Sequence, residues 1–504
     1  MIGPMKFLSK LKRLFDPMDL TKGPIAKSIL LFAIPIILSL LFQQIYVLTD
    51  ATIVGKTLSE PEIAGVNNTG SLVFTVLQFG FGCASGFSVI IAEAIGKKDE
   101  AKMRSSFYLQ ILLVSLISLL LTIAGIALIP TLLKSLGIVP SPADPVMQKT
   151  YESAYTYLAI IYGGILCQLL YNSIVATLRS MGDSFVPFLF LLGSTLLNVA
   201  LDLLFIIVFS WGVAGSAIAT VLSQGLAAAG ALVYALCRYP SLRYKKKETT
   251  LTGKDVWAHL KNGLPLGFQF SILAIGMIVM QASIIAFDIQ PDGTMLASMP
   301  AQLGYAAACK IINLLMVPFS GLGTAFLSFA GQNYGAKQPN RLKEGLKKTA
   351  LLMFAFWAVL ALIGLLLTIR GAYQYLFLSP DKITEESIAF GNVYLYVSVP
   401  SLIFLGFLFL LRFTLQGLQK PLWPFLAGMG ELAARILICL FLPSLIAGGP
   451  ISSSVGAIPF LGAALGDPGA WVIAPLLMII PTVNVIKDFT KQAESEDLPT
   501  QTRE

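Results

Sequence analysis

Long apolar blocks, separated by short charged stretches, dominate the 504-residue sequence. A helix that spans a bilayer needs about 20 predominantly apolar residues in succession. Twelve blocks meet this requirement, with approximate limits at 26–50, 63–94, 106–130, 154–177, 187–209, 211–236, 258–287, 300–329, 348–369, 388–411, 421–445 and 460–484. We therefore predict an all-α polytopic membrane protein with twelve transmembrane helices.

The composition excludes several other classes of protein. Hydrophobic residues make up 56% of the chain and charged residues only 12%, which is about half the charge of a soluble globular protein. A soluble enzyme and a disordered scaffold are both excluded, because each needs a more polar sequence. The apolar blocks contain no cluster of catalytic or metal-binding residues, so we expect no enzymatic activity, no cofactor, and no metal other than Na⁺.

The basic residues predict the orientation of the chain. With the N-terminus inside, 28 of the 35 Lys and Arg residues fall on the cytoplasmic side and five on the outside, as the positive-inside rule requires. We expect these residues to meet anionic lipids rather than nucleic acid. The predicted parts are a cytoplasmic tail (1–24), an N-lobe (25–237), a cytoplasmic loop (238–257), a C-lobe (258–486) and a second cytoplasmic tail (487–504).

The two predicted lobes are related by an internal repeat. Residues 95–104 align with 334–343 at an offset of 239, and residues 178–188 align with 415–425 at an offset of 237. Each half has an even number of spans, so both halves insert in the same direction, as in transporters built from parallel repeats. We expect two six-helix lobes around a central cavity, which is an alternating-access architecture.

Polar residues at bilayer depth are candidates for function, since an ionisable side chain there costs about 3 kcal/mol on insertion scales. With a rise of 1.5 Å per residue, Asp50, Asp202 and Thr220 lie about 9, 12 and 14 Å from the outer ends of their helices. Asn198 is one turn before Asp202, on the same helix face. These oxygen donors suit Na⁺, or two carboxyl groups that share a proton. A purely structural hydrogen-bond network is the alternative.

The second half does not copy this set of residues. We therefore expect ion coupling in the N-lobe only. The aligned pairs are Asn198 with Arg435, Asp202 with Cys439, and Asp50 with Gln281.

Other polar or helix-bending residues are candidates for the substrate cavity or for gating. Glu431 and Arg435 are four residues apart and are predicted to form an intrahelical ion pair, with a substrate or gating role as the alternative. Lys310 would extend to the interface, pair with a carboxylate, or line the cavity. Pro35 kinks the first helix, with or without a role in gating. Gln281 completes these candidates, and three further charged residues are expected at the interface: Glu93, Asp288 and Arg412.

Five segments in register on this repeat resemble the multidrug and toxic compound extrusion (MATE) family of transporters. They are LTDATIVGK (48–56), RSMGDSFVPF (179–188), NVALDLLFI (198–206), GVAGSAIAT (212–220) and QNYGAKQPNRLK (332–343).

The resemblance implies a two-lobed exporter of cationic or amphiphilic compounds that is driven by inward H⁺ or Na⁺. It also implies that Asp50, Asn198, Asp202 and Thr220 form the cation site. Some branches carry a carboxylate in the seventh span, whereas this sequence has none there before Asp288. A monomer in the cytoplasmic membrane of a bacterium is expected. A lipid or lipid-linked oligosaccharide flippase of the same superfamily is the alternative function.

Overall fold

The computed structural model describes residues 16–497 except 247 and 250, and this part of the chain folds almost entirely into α-helices. We number the helices α1 to α14 in chain order. They are Ile25–Thr57, Glu60–Lys97, Glu100–Ser135, Pro145–Gly163, Ile165–Ser180, Phe185–Asp202, Gly212–Arg238, Gly253–Ile285, Pro300–Gly335, Pro339–Leu367, Glu385–Gly417, Leu422–Ala447, Phe460–Ala464 and Gly466–Asp497.

The helices confirm the predicted membrane architecture. Eleven helical segments within the described residues are long and apolar enough to cross a bilayer. The twelfth span is the pair α4 and α5, which is bent by 44° at the break between Gly163 and Ile165. The sequence predicted this pair as one continuous span. Parts of both predicted tails, residues 1–15 and 498–504, lie outside the described residues, and α14 extends into the second tail as far as Asp497.

The repeat is visible in the backbone of the turns. Lys98 and Lys337, 239 residues apart, both have left-handed conformations with φ of 57° and 54°. Gly182 and Gln419, 237 residues apart, likewise have φ of 85° and 57°. A left-handed residue after a helix lets the following N–H groups reach the last free carbonyls. The offsets read from the sequence therefore relate helix ends of the same geometry.

The helices group into two compact units. The first comprises Leu30–Ser271 and Gly331–Gln338 together with the segment before Pro24, and the second comprises Pro24–Ile29, Ile272–Ala330 and the chain from Pro339 onward. Three boundaries fall within α1, α8 and α9, two fall just before α1 and at the start of α10, and none falls in the loop at 238–257. The predicted limits of the lobes describe the sequence repeat and stay a prediction.

Within the first unit, α2 and α8 approach through paired glycines. Gly82 and Gly86 on α2 lie against the backbone of α8, where an ideal Cβ at either position would be 2.5 Å from a carbonyl oxygen. On α8, Gly263 and Gly267 have the same four-residue spacing and lie against α2. Small residues at this spacing allow membrane helices to pack backbone to backbone.

Two repeat-related turns also contact each other in the first unit. Gly96 lies over the carbonyl oxygen of Gln332, and Gly335 lies over that of Glu93. The offset of 239 relates Gly96 to Gly335 and Glu93 to Gln332, so it converts one contact into the other. The contact is therefore symmetric, and each glycine allows the other turn to approach.

Residues 18–20, just before α1, lie across the same region, and we call this segment the strap. The N–H of Met18 donates to the carbonyl of Gly182 over 2.9 Å. The N–H of Leu20 donates to Gln332 Oε1 over 3.1 Å, and Asn333 Nδ2 donates to the Leu20 carbonyl over 3.2 Å. Gln332 Nε2 also donates to the carbonyl of Ser180 over 2.7 Å. The amide side chains in the last turn of α9 thus join the strap to the end of α5 and the α5–α6 turn.

Two glycines of α2 provide a matched test of the close packing. Gly86→Ala places a methyl group against Asn262 of α8 and should destabilise the fold by about 1–3 kcal/mol, as overpacking does. Gly70→Ala adds the same group where no atom lies within 4 Å and should leave stability unchanged or raise it slightly. Thermal unfolding of the purified protein in detergent measures both. Equal melting temperatures for the two variants would contradict the packing described here.

Candidate functional site

The four residues predicted to bind a cation lie in one cluster of the first unit. Asp50 is on α1, Asn198 and Asp202 are on α6, and Thr220 is on α7. Asn198 and Asp202 are almost fully buried, with 1% and 0% of their surfaces exposed. Three helices thus bring polar groups together inside an otherwise apolar bundle.

The carboxyl groups of Asp50 and Asp202 lie close enough together to interact. A hydrogen bond between them would need one proton, because two ionised carboxylates have no hydrogen to donate. With both ionised, the two groups would repel each other in these buried surroundings. The pair therefore carries one proton in this arrangement, or requires another cation to replace it.

The Thr220 hydroxyl connects the cluster to its neighbours. Asn198 Nδ2 donates to Thr220 Oγ1 over 3.4 Å. The hydroxyl of Tyr46 lies 3.4 Å from the same oxygen. The site thus combines carboxylate, amide and hydroxyl oxygens, which are the ligands that hard cations such as Na⁺ prefer.

Two tyrosines of this cluster were missed by the sequence analysis. Tyr46 lies one turn before Asp50 on α1, and Tyr157 on α4 interacts electrostatically with both aspartates. The spacing of Tyr46 to Asp50 was a signal that could have been used, since residues four apart share a helix face. Tyr157 reaches the site only through tertiary packing.

The helix that carries Asp202 changes geometry at that residue. Leu203–Val208 form a π-helix directly after α6, and the N–H of Phe209 bonds to the carbonyl of Leu204. Wide turns of this kind are rare and often occur at functional sites. Here, Phe205 stacks on Trp211 with ring centroids 4.9 Å apart, which holds the wide turn against the start of α7. The sequence analysis predicted a regular span over this segment.

Pro35 is buried in α1, fifteen residues before Asp50. The hydroxyl of Ser39 donates to the Pro35 carbonyl over 2.8 Å. A proline removes one backbone hydrogen bond, and a serine that bonds back to the preceding turn often bends a helix. These two residues mark a weak point in α1, while a role in gating stays a prediction.

Four charged side chains form a second cluster, in the second unit. Arg412 on α11 pairs with Glu431 on α12, and both are almost completely buried. Arg435, one turn after Glu431, donates to Asp467 on α14 from Nη2 over 2.8 Å and from Nε over 3.1 Å. Tyr394 on α11 donates to the other oxygen of Asp467 over 2.7 Å.

This arrangement corrects the predicted ion pair between Glu431 and Arg435. Each of these residues bonds instead to a partner on another helix, because the tertiary packing brings Arg412 and Asp467 close to α12. Arg412 was expected at the interface but is only 2% exposed. Asp467 was not considered, because it lies at the end of a Gly- and Pro-rich segment that blurred the last span.

The remaining candidates occupy different environments. The Lys310 ammonium lies 5.1 Å from the centre of the Phe377 ring, an interaction that none of the three predictions for this lysine included. Gln281 is exposed. Asp288 was expected at the interface but is buried, and accepts bonds from the N–H groups of Ala301 and Gln302 at the start of α9. Glu93 forms a salt bridge of 2.5 Å with Lys97.

A double-mutant cycle tests the corrected pairing. Arg412→Gln and Glu431→Gln should each destabilise the protein by about 3–5 kcal/mol, because each leaves a buried charge without its main partner. The double variant should recover much of that loss. Thermal unfolding in detergent provides the measurement. A larger coupling for Glu431 with Arg435 than with Arg412 would restore the intrahelical pair.

Comparison with known proteins shows the family to which the chain belongs. The sequence model of the MatE family matches residues 35–204 and 303–466. A probable multidrug resistance protein of Bacillus subtilis, YpnP, is 30% identical over 332 residues, which are 64% of this chain and 68% of YpnP. A second from the same organism, YoeA, is 24% identical over 464 residues, or 91% of this chain and 93% of YoeA.

Solved structures share the fold. A crystal structure of MATE in complex with MaL6 superposes with a TM-score of 0.80 at 18% identity, covering 94% of this chain and 98% of that one. A crystal structure of MATE in the bent conformation also gives 0.80, at 19% identity and with 95% and 100% coverage. The matched segments, the length of the relatives covered and the twelve-span fold agree: the chain belongs to the MatE family of multidrug and toxic compound extrusion transporters.

Proposed function

We propose that this protein is a secondary active antiporter that exports cationic or amphiphilic organic compounds in exchange for inward H⁺ or Na⁺. The observation that carries the proposal is the cluster in which the Asp50 and Asp202 carboxyl groups interact, next to Asn198 and Thr220. The names of YpnP and YoeA, both probable multidrug resistance proteins, support the class of substrate. The coupling ion is the only cofactor, and the protein catalyses no chemical reaction.

The location follows from the same considerations. The distribution of Lys and Arg supports a cytoplasmic membrane with both termini on the cytoplasmic side. Lipids surround the protein, its small-molecule substrates are its other partners, and it works as a monomer without nucleic acid.

The chemistry of the pair supports coupling to an ion. When the ion binds, it neutralises the carboxylates and lowers the cost of holding them away from water. After the ion leaves toward the cytoplasm, both carboxylates are ionised. The protein around them must then change conformation to stabilise their charges. An ion can drive the cycle only because it binds the two states with different affinities.

The first helix supplies a route from the ion to the substrate path. Asp50 lies on α1, and that helix has its weak point at Pro35 and Ser39. Ion binding at Asp50 would favour one bend of α1 over another, and the bend would release the substrate outward. Crystal structures of MATE in a straight and in a bent conformation, both similar in fold to this chain, support this route.

Replacing Asp50 tests the proposal directly. Asp50→Asn removes one ionisable group and should abolish ethidium uptake into everted vesicles and ethidium efflux from loaded cells, whether the imposed gradient is H⁺ or Na⁺. Asp202→Asn should have the same effect. The control is Asp292→Asn, an exposed aspartate of the α8–α9 loop, which should transport like the wild type.

Each result has a defined meaning. Wild-type efflux that responds to one gradient alone identifies the coupling ion. Undiminished efflux by Asp50→Asn would reduce the aspartate pair to a structural role. Absence of efflux by the wild type, together with lipid turnover that is independent of ions, would replace the antiporter by a flippase.

Tyr46 offers a graded test of the same site. Tyr46→Phe removes the hydroxyl beside Thr220 and should raise the ion concentration for half-maximal efflux roughly three- to tenfold, the effect of about one hydrogen bond. The matched control is Tyr155→Phe on α4, where the tyrosine is 37% exposed. An unchanged ion dependence in Tyr46→Phe would remove this tyrosine from the site.

A further inference from the structure

Two residues of the second cluster, Arg435 and Tyr394, align with residues of the first cluster in the repeat. At the offset of 237, Asn198 aligns with Arg435 and Tyr157 aligns with Tyr394. The local structure supports this offset, because α5 ends at Ser180 and α11 ends at Gly417, again 237 residues apart. In each repeat, a tyrosine from the equivalent helix interacts with a carboxylate of its cluster.

One chemical difference separates the two sites. In the first repeat, the side chain at this position is the neutral amide of Asn198, one turn before Asp202. The second repeat puts the guanidinium of Arg435 at that position, and Nε and Nη2 both donate to Asp467. Arginine keeps its charge under all physiological conditions. The second site thus contains a cation that is part of the chain.

The surroundings of Asp467 hold this cation in place. The side chains of Arg435 and Asp467 are only 6% and 15% exposed. Gly276 of α8 leaves just enough room for the guanidinium, since an ideal Cβ there would lie 2.5 Å from Nη1. The other titratable side chains whose charge acts on or is affected by Asp467 come from α9, α11 and α12: Tyr305, Cys309, Tyr394, Glu431 and Cys439.

We propose that Arg435 is a tethered cation that fills the second repeat's version of the ion site and thereby confines ion coupling to the first repeat. The inference rests on the proposed function. It identifies Arg435 as the residue that limits the number of ions coupled to transport. The second cluster contains two ion pairs, Arg412 with Glu431 and Arg435 with Asp467. Its two positive and two negative charges therefore balance without any ion from solution. A mobile H⁺ or Na⁺ would have to displace a guanidinium that is attached to the same chain, and so is always present at high effective concentration.

The substitution that tests the inference copies the first repeat. Arg435→Asn removes the tethered charge and leaves the Asp467 carboxylate with Tyr394. The purified variant should bind one more monovalent cation per chain than the wild type. Equilibrium binding of ²²Na⁺ measures this number, and proton uptake on acidification of the Na⁺-free protein measures it for H⁺.

Two further variants identify the group responsible. Adding Asp467→Asn to Arg435→Asn should abolish the extra cation, and should leave the ion dependence of efflux like that of the wild type. Arg435→Lys keeps a tethered charge and should bind no extra cation. Size-exclusion chromatography and thermal unfolding establish that each variant is folded.

The outcomes separate this inference from the proposed function. A folded Arg435→Asn protein without an additional cation would overturn the inference. Loss of ion-dependent efflux in the doubly neutral variant would also overturn it, even if Arg435→Asn alone does not fold, because Arg435 and Asp467 would then be part of the coupling. Absence of ion binding by the wild type would overturn the proposed function, yet the difference between Arg435→Asn and the wild type would still be measurable.

Discussion

The structure depends on one constraint: a charge buried in a membrane-spanning bundle must be neutralised, since its desolvation costs several kcal/mol. The two repeats satisfy this constraint differently. In the second, Arg412 and Arg435 neutralise Glu431 and Asp467 through bonds between helices. In the first, the Asp50 carboxyl group interacts with a second acid, Asp202. A proton or another cation from solution would neutralise this pair, as the proposed coupling requires.

Close backbone contact is the second feature on which the arrangement relies. Gly82 and Gly86 allow α2 to pack directly on α8, and Gly96 and Gly335 allow the two repeat-related turns to meet. These contacts contain no side chain that could adapt to a change of position. Because a small displacement would separate them entirely, they suit a protein that moves between distinct states better than a continuously flexible one.

Much of the cation cluster could be predicted from one sequence, because its members follow simple rules. Asp202 and Asn198 share a helix face at a spacing of four, and Asp50 stands out as an acid within an apolar block. The partners of Glu431 could not be found in this way. Arg435 satisfied the same spacing rule, yet the packed helices offered Glu431 a closer partner in Arg412. A local rule identifies candidate pairs but does not rank them against residues that are distant in the chain.

The sequence by itself determined the apolar spans, the repeat and the positions of the polar residues along their helices, since these follow from hydrophobicity, the rise of a helix and the offset between similar segments. The tertiary structure decided which side chains meet across helices, and it placed the bend between α4 and α5 and the π-helix after Asp202. The physical reason is that hydrophobic burial depends on the local pattern of residues. Hydrogen bonds and ion pairs instead depend on distances of about 3 Å between helices, which only the packed structure fixes.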